Sequence, residues 1–285
     1  MSDCQFVAEV SSNHHQDLNR CFDFIKVAAQ IGCDAVKFQL FKVDSLFAPE
    51  ILKQSPAHRD RKQWELPEHY IPELAKCCRE NNIDFSCTPF YLEAVELLAP
   101  YVSFFKIASY ELLWDNLLIA CAKTGKPVVI STGMATEDEI THAVEVLKKH
   151  GSKPTILHCV SSYPTPSDEC NLSTIGYLRK RFKCDIGWSD HSRNPNVVSH
   201  AVSRWNASFV EFHLDLDGEG EEFSSGHCWL PHEIAPVIQF SREMSAIDGM
   251  PGIKISKSEH ADREWRADPS DGLRPLKKTR TSYLR

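Results

Sequence analysis

Apolar runs of strand length alternate with longer segments of helical periodicity along most of the chain. The first run covers 5–11, and 17–31 then carries apolar residues at the i, i+3, i+4 and i+7 positions that begin at Leu18. Gly32 follows this segment and is expected to end the helix. The pattern predicts one strand followed by one helix.

The same alternation continues to residue 246 and predicts seven further strand-helix pairs. The predicted strands cover 35–41, 84–90, 103–109, 127–133, 155–161, 185–188 and 208–214. The predicted helices cover 67–80, 92–98, 116–124, 172–181, 197–205 and 233–246, with one more that begins at a capping box of Thr136 and Glu139 and ends at Gly151. The polar, proline-containing segment 42–66 is predicted to be a long loop over one face.

Eight strand-helix pairs without a second cluster of strands predict an α/β fold of the (β/α)8 TIM barrel type. We expect the barrel to occupy 1–252 and a short charged C-terminal extension to occupy 253–285. A doubly wound open sheet is the alternative. It is disfavoured by the number of units and by the absence of a GxGxxG motif after the first strand.

The composition narrows the class of partner. The chain has 285 residues, a formal net charge of -7 and a sequence pI near 6.0, so neither nucleic acid nor an anionic membrane is expected to attract it. No apolar run approaches the roughly 20 residues of a membrane span, and the N-terminus does not read as a secretory signal, which predicts a cytoplasmic protein. The 11 cysteines form no CxxC pair and are predicted to be reduced and buried.

The polar residues that end the predicted strands form one candidate site, because the active site of a TIM barrel lies at the carboxyl ends of its strands. Lys37 and Lys106 are the most informative, since lysines inside apolar strands need an anionic partner when buried. With nearby hydroxyls they predict a cradle for a phosphate or a carboxylate. Alternatively, each lysine pairs with a barrel glutamate, Glu9 or Glu211, and no ligand is involved. The other polar residues at strand ends are Gln39, Thr88, Ser109, Ser131, Thr132, Ser161, Tyr163, Ser189 and Asp190.

Two histidines, His191 and His213, follow successive predicted strands and predict a site for manganese, cobalt, iron or zinc. Two imidazoles leave coordination positions open, which is typical of a catalytic site and not of a structural one. Alternatively, each histidine only packs or hydrogen-bonds locally. Asp190 is predicted to orient His191. His14 and His15 lie at the same face of the predicted barrel and are candidates for substrate contact.

Eight motifs run in order from residue 8 to residue 213: AEVSSNH, DAVKFQ, FSCTPF, FFKIAS, ISTGMA, LHCVSSYPTP, GWSDHS and VEFH. On these motifs the chain resembles the sialic acid synthases, whose fold is the same barrel. The resemblance implies a transferase that condenses phosphoenolpyruvate with an open-chain, N-acetylated sugar to give a sialic-acid-like α-keto acid and phosphate. It also implies a divalent metal cofactor, with manganese preferred over magnesium or cobalt, and it allows a homodimer.

The resemblance further implies a role for each matching position. The metal ligands would be His191 and His213, with Glu211 near the metal and its water. The catalytic residues would be Glu9, Glu211 and His191. The phosphoenolpyruvate-binding residues would be Lys37, Thr88, Lys106, Ser109, Ser161 and Ser189, where Ser161 replaces an asparagine of some members. The acceptor-sugar-binding residues would be Glu9, Gln39 and Tyr163.

Four departures from the family pattern leave the acceptor open. The family's NHNGD reads NHHQD at 13–17, and Tyr110 stands where glycine is usual. The acid of a Pro-Asp-His motif after the eighth strand is replaced, with Ser225-Gly226-His227 as the best alignment, and the family's C-terminal antifreeze-like domain is not expected in 253–285. Two other functions therefore stay open: a metal-dependent lyase or hydrolase that does not use phosphoenolpyruvate, and a catalytically weak homologue that binds a sugar acid or a partner protein.

Overall fold

The computed structural model describes residues 4–283, apart from the side chains of Ser245 and Tyr283. Its strands are β1 (Gln5–Glu9), β2 (Ala35–Leu40), β3 (Asp84–Pro89), β4 (Phe104–Ile107), β5 (Val128–Ser131), β6 (Thr155–Cys159), β7 (Ile186–Asp190) and β8 (Phe209–His213). They pair in parallel and in chain order, and β8 pairs with β1 to close the barrel. The predicted (β/α)8 barrel is confirmed.

Helices alternate with these strands. The helices that connect or follow strands are α1 (Leu18–Gln30), α5 (Ile71–Glu80), α6 (Leu92–Leu98), α7 (Asp115–Lys123), α8 (Glu137–Lys149), α9 (Ser173–Phe182), α10 (Pro195–Ser203) and α11 (Pro231–Asp248). The predicted capping box of α8 is present, because Thr136 Oγ1 accepts from the Glu139 amide and the Glu139 carboxylate accepts from the Thr136 amide.

The prediction of an irregular loop over 42–66 is wrong. This segment contains three short helices, α2 (Val43–Leu46), α3 (Pro49–Gln54) and α4 (Pro56–Asp60), and the 3-10 turn Arg61–Trp64. Pro49 and Pro56 each lie in the first turn of a helix, where the missing N–H costs no intrahelical hydrogen bond. The two prolines therefore begin helices and do not mark a loop.

An apolar layer closes the barrel below the carboxyl ends of the strands. Its buried residues are Val7, Ala35, Phe104, Val129, Leu157 and Phe209. Side chains alternate along a strand, so the residue two positions further on faces the same way. Those next positions hold Glu9, Lys37, Lys106, Ser131, Cys159 and Glu211. A layer of buried charged and polar groups therefore lies directly on the apolar layer.

On β7 the apolar layer has no room for a side chain. A Cβ on Gly187 would meet Leu157 Cδ2 at 2.6 Å and Phe209 Cβ at 2.8 Å. Two positions further on, Ser189 lies in the polar layer, and His191 follows directly after the strand. The close packing therefore requires glycine at position 187, two residues before Ser189 and four before His191.

The chain divides into two compact units, residues 1–244 and residues 245–285. The second unit contains α12 (His260–Arg263) and α13 (Lys277–Tyr283). Within it Glu264 accepts from Lys278 Nζ at 2.8 Å, and Asp271 pairs with Arg280 at 2.6 Å. Part of the charge of this C-terminal segment is therefore used in internal ion pairs.

Each of the 11 cysteines is unpaired and buried, as predicted. Within the described part of the chain, no helix has both the length and the apolar character needed to cross a membrane.

Candidate active site

The polar layer places two lysines between two glutamates. Lys37 Nζ contacts Glu9 Oε2 and lies 3.9 Å from Glu211 Oε2, while Lys106 Nζ lies 3.3 Å from Glu211 Oε1. All of these side chains are buried. The pairing of the lysines with barrel glutamates, considered above as the alternative without a ligand, is therefore present. Two ammonium groups and two carboxylates balance one another here.

Burial and mutual charge shift the titration of this group. Burial lowers the pKa of Lys37 to about 8, and the charge of Lys106 acts in the same direction. Burial opposes ionisation of Glu211, but the charges of Lys106 and Lys37 outweigh it and lower its pKa to about 2. Glu211 is therefore ionised at neutral pH, and Lys37 is still mainly protonated at pH 7 although its pKa is lowered.

Hydroxyl groups surround the lysines. Thr88 Oγ1 accepts from Lys37 Nζ at 3.1 Å, and Ser189 Oγ donates to Glu211 Oε1 at 3.3 Å. Ser109 Oγ lies 3.7 Å from the sulfur of Cys159, and Ser161 Oγ lies 4.0 Å from the same sulfur. The six residues predicted to bind phosphoenolpyruvate thus form two neighbouring groups, one around Glu211 and one around Cys159.

The two predicted metal-binding histidines stand together. The ring centroids of His191 and His213 lie 5.3 Å apart. His191 Nδ1 is 2.9 Å from the carbonyl oxygen of Val160, and His213 Nδ1 is 2.9 Å from Glu222 Oε2. Both Nδ1 atoms are thereby occupied, which leaves the Nε2 atoms available as ligands. Burial lowers the pKa of His213 to about 4, so this ring is neutral at pH 7.

Glu222 is a residue that the sequence did not single out. Its carboxylate lies between His213 and His227, with Oε2 3.5 Å from His227 Nε2. Burial opposes ionisation of Glu222, but hydrogen bonding and charge from His213 and the contact with His227 lower its pKa well below the usual range. The sequence carried no clear signal for this role, since Glu222 sits in the acidic run DGEGEE of a polar loop.

The predicted role of Asp190 is wrong. Its carboxylate accepts from the indole N–H groups of Trp188 and Trp229, each at 2.9 Å, and from Ser192 Oγ at 2.6 Å. It also accepts from the Arg193 amide at 3.2 Å. Asp190 therefore holds two buried indoles and the loop after β7, while His191 is oriented by a backbone carbonyl. Glu211 contacts Lys106 and Ser189, and the charge of His213 acts on its titration, so the expected position of Glu211 near the metal stays a prediction.

The residues predicted to bind the acceptor lie around the same mouth. The Tyr163 ring packs on His191 with 4.2 Å between centroids and is 40% exposed. Gln39 is half-buried and pairs in register with Thr88 of the next strand. His14 is buried, and burial lowers its pKa to about 4, whereas His15 is exposed. His14 is therefore a neutral, enclosed ring, whereas the side chain of His15 faces solvent.

Comparison with known proteins identifies the family to which this site belongs. The family model described as NeuB family matches residues 24–252. The N,N'-diacetyllegionaminic acid synthase of Campylobacter jejuni is 36% identical over 89% of this chain and 80% of its own length. An uncharacterised protein of Methanocaldococcus jannaschii is 39% identical over 74% of this chain, and the match spans 62% of that relative's length.

A solved structure gives the same result. The N-acetylneuraminic acid (sialic acid) synthetase of Leptospira borgpetersenii, determined in complex with citrate, superposes with a TM-score of 0.81 and 30% sequence identity, covering 95% of this chain and 93% of that one. The family match covers most of the barrel, and all eight strands of the fold correspond to predicted strands. The chain belongs to the NeuB family.

Proposed function

We propose that this enzyme condenses phosphoenolpyruvate with the aldehyde of an open-chain, amino-sugar-derived acceptor and releases phosphate. The observation that carries the proposal is that the lysine and hydroxyl groups meet the histidine pair at Cys159, whose sulfur lies 3.9 Å from His191 Nδ1 and 3.7 Å from Ser109 Oγ. An anion cradle and a set of metal-ligand atoms at one barrel mouth are what this reaction needs. Relatives named as synthases of legionaminic and sialic acids support the reaction class.

The donor set fits a divalent ion. His191 and His213 supply two neighbouring imidazole rings whose Nε2 atoms are available as ligands, and the Glu222 carboxylate orients the His213 ring through Nδ1. An ion bound there would act as a Lewis acid on the carbonyl oxygen of the acceptor. Manganese is the cofactor we propose, with cobalt or magnesium as substitutes.

The side chains of the polar layer would hold phosphoenolpyruvate. The phosphate and carboxylate would lie against Lys37, Lys106 and the hydroxyls of Thr88, Ser109, Ser161 and Ser189. Because Glu9 and Glu211 already balance the two lysines, a bound anion would compete with these glutamates for the ammonium groups. The displaced carboxylate of Glu9 or Glu211 would lie next to the bound substrate, where it can accept a proton from water.

The bond changes follow from this arrangement. C3 of phosphoenolpyruvate forms a bond to the acceptor aldehyde carbon, and the aldehyde oxygen takes up a proton. Water adds to C2 and loses one proton to a nearby carboxylate. The C2 hydroxyl loses its remaining proton as the bond between C2 and the phosphate oxygen breaks, which forms the keto group, and the departing phosphate takes up that proton. The products are an α-keto acid and inorganic phosphate. Tyr163 and Gln39 are placed to contact the acceptor at the open side of the mouth.

We propose that the reaction takes place in the cytoplasm. The unpaired state of all 11 cysteines agrees with a reducing compartment.

The proposal is tested by incubating the protein with phosphoenolpyruvate, Mn²⁺ and a panel of acceptors that includes N-acetylmannosamine and diacetamido-trideoxyhexoses. The expected result is a keto acid, identified by mass, formed in equal amount with phosphate. Binding of Mn²⁺ without thermal stabilisation by phosphoenolpyruvate would contradict the proposal and favour a lyase or hydrolase. Stabilisation by phosphoenolpyruvate without turnover of any acceptor would indicate a binding homologue.

A further inference from the structure

The loop after β8 brings a carboxylate and a third imidazole to His213. Glu222 Oε2 lies 2.9 Å from His213 Nδ1 and 3.5 Å from His227 Nε2. The thiol of Cys228 lies 3.8 Å from the same His227 nitrogen. These four side chains each offer one ligand-type atom, and the four atoms all lie within 4.8 Å of one another.

Glu222 is held in place and is not a freely moving surface acid. Its amide donates to Asn13 Oδ1 at 2.8 Å, and Asn13 Nδ2 donates to the Leu214 carbonyl at 3.0 Å, so one buried side chain fixes both ends of the loop. Asp215 accepts from the amide of Gly220 at 3.2 Å and pairs with Arg20 at 3.0 Å. The loop is thus anchored to the segment that follows β1.

The approach of this loop leaves no room for a side chain at Gly220. A Cβ there would collide with Asp215 Oδ1 and would meet Asn13 Oδ1 at 2.6 Å. Glycine is therefore required for the loop to reach the buried carboxylate and amide. The position of Glu222, two residues further on, depends on this close contact.

The buried ring of His227 is not explained by hydrogen bonding. It is 4% exposed, and its Nδ1 is buried with no hydrogen-bond partner among the described residues. Its polar neighbours are the Glu222 carboxylate and the Cys228 thiol, both of which are metal-ligand types. These two contacts are made by the other ring nitrogen, Nε2, which is therefore the atom that a cation among these groups would bind.

We propose that Glu222 and His227 bind a divalent cation together with His213, as a two-imidazole, one-carboxylate site. The ligand atoms would be His213 Nδ1, His227 Nε2 and a carboxylate oxygen of Glu222, and an ion among them would replace the hydrogen bond between His213 and Glu222. Ligand atoms about 2.0–2.2 Å from a first-row ion lie roughly 3–3.5 Å from one another, and the Glu222 contacts at 2.9 and 3.5 Å are close to that spacing. The pair of His191 and His213 described above would use Nε2 of the same His213 ring, so the site proposed here lies on the other side of that ring.

The site does not rest on the proposed function, and its test needs no turnover. Metal-free protein is titrated with Co²⁺, following heat by calorimetry and the visible absorption of the bound ion. Glu222→Gln and His227→Ala are compared with Glu221→Gln and His232→Ala, which alter exposed neighbours of the same types. We expect the first two to weaken Co²⁺ binding at least about tenfold and to change the absorption bands, and the matched controls to leave both unchanged.

A second substitution separates a direct ligand from a residue that only orients His213. Glu222→Cys places a thiol at the proposed ligand position and should add a thiolate-to-cobalt charge-transfer band above that of the unaltered protein. Circular dichroism of each metal-free variant checks folding. Binding that survives Glu222→Gln and His227→Ala but is lost in His191→Ala would overturn the proposal and leave the proposed function intact. Cobalt binding that depends on Glu222 and His227, in a protein that forms no keto acid, would sustain the site and contradict the synthase activity.

Discussion

The Glu211 carboxylate lies 3.3 Å from the Lys106 ammonium at the mouth of the barrel, and both side chains are buried. Removing one partner of such a pair leaves an uncompensated charge, which costs about 3–5 kcal/mol in other buried pairs. A substitution of either residue is therefore expected to change both the free energy of unfolding and the binding of an anion. An incoming phosphate or carboxylate would replace Glu211 as the partner of Lys106.

Lys106→Ala is expected to lower phosphate release from phosphoenolpyruvate by at least about 100-fold, because it removes a cation from the anion cradle and leaves Glu211 to repel the substrate. The measurement is phosphate release with a competent acceptor, together with the thermal shift on adding phosphoenolpyruvate. Lys123→Ala, at an exposed position of α7, is the control and should behave as the unaltered protein. Full activity in Lys106→Ala would remove this residue from the site.

Loss of activity through simple unfolding is distinguished by a double substitution. Lys106→Met with Glu211→Gln removes both charges and should recover most of the stability lost in Lys106→Ala, since neither charge is then left unpaired. It should not recover phosphate release. Recovery of both would mean that Lys106 serves only to balance Glu211.

Gly133→Ala is expected to displace Ser109 and Ser161, the two serines whose hydroxyls lie near the Cys159 sulfur. A Cβ there would collide with Ser161 Oγ and would meet Ser109 Oγ at 2.9 Å, and the Gly133 amide donates to Ser109 Oγ at 3.0 Å. The two serines would have to turn away, so KM for phosphoenolpyruvate should rise at least about tenfold. Steady-state kinetics measures this change. Gly125→Ala is the control: no atom lies within 4 Å of the added Cβ, but the φ of +73° strains an alanine, so this variant tests whether a destabilising glycine substitution outside the site also raises KM.

Local sequence signals predicted the parts of the molecule whose contacts are local. The capping box of Thr136 and Glu139 spans three residues, and a lysine inside an apolar strand, as at Lys37, marks a buried cation by itself. Both predictions agree with the structure. The error at 42–66 arose because proline marks both loops and first turns of helices, and the pattern of polar residues did not decide between them.

Glu222 could not be predicted in this way. Its hydrogen-bond partners Ser11 and Asn13 lie 211 and 209 residues away in the chain, so only the closed barrel brings them together. The assignment of Asp190 to His191 failed for a related reason. One of its partners, Trp229, is 39 residues away, and adjacency in sequence suggested the nearer histidine.

Asp190→Ala is expected to lower the free energy of unfolding by at least about 3 kcal/mol, because hydrogen bonds to a charged acceptor each contribute roughly 1.5–3 kcal/mol and two indole N–H groups would be left buried without an acceptor. Urea denaturation measures the change. Trp188→Phe removes only one of these bonds and is expected to cost less than Asp190→Ala. A change below 1 kcal/mol, taken as roughly the value of a single neutral hydrogen bond, would contradict the structural role given to Asp190.

Glu111, in the 3-10 turn Ser109–Glu111 after β4, gives the stability of the protein a specific pH dependence. Burial raises its pKa to about 7 against the opposing charge of Lys106, and its Oε2 is buried without a hydrogen-bond partner among the described residues. In the unfolded chain this carboxyl ionises near pH 4.5. Between these two values the folded state binds more protons, so the stability contributed by this group is present at low pH and is lost as the pH rises toward 7.

Glu111→Gln removes the titrating group and keeps the shape of the side chain. The stability of this variant relative to the unaltered protein should therefore rise between pH 5 and pH 8 by on the order of 2–3 kcal/mol. Urea denaturation of both proteins at the two pH values measures the difference, and Glu96→Gln, at an exposed position of α6, should show no such change. If the difference between Glu111→Gln and the unaltered protein is the same at both pH values, Glu111 ionises normally, and the turn that carries Ser109 is not sensitive to pH through this carboxyl.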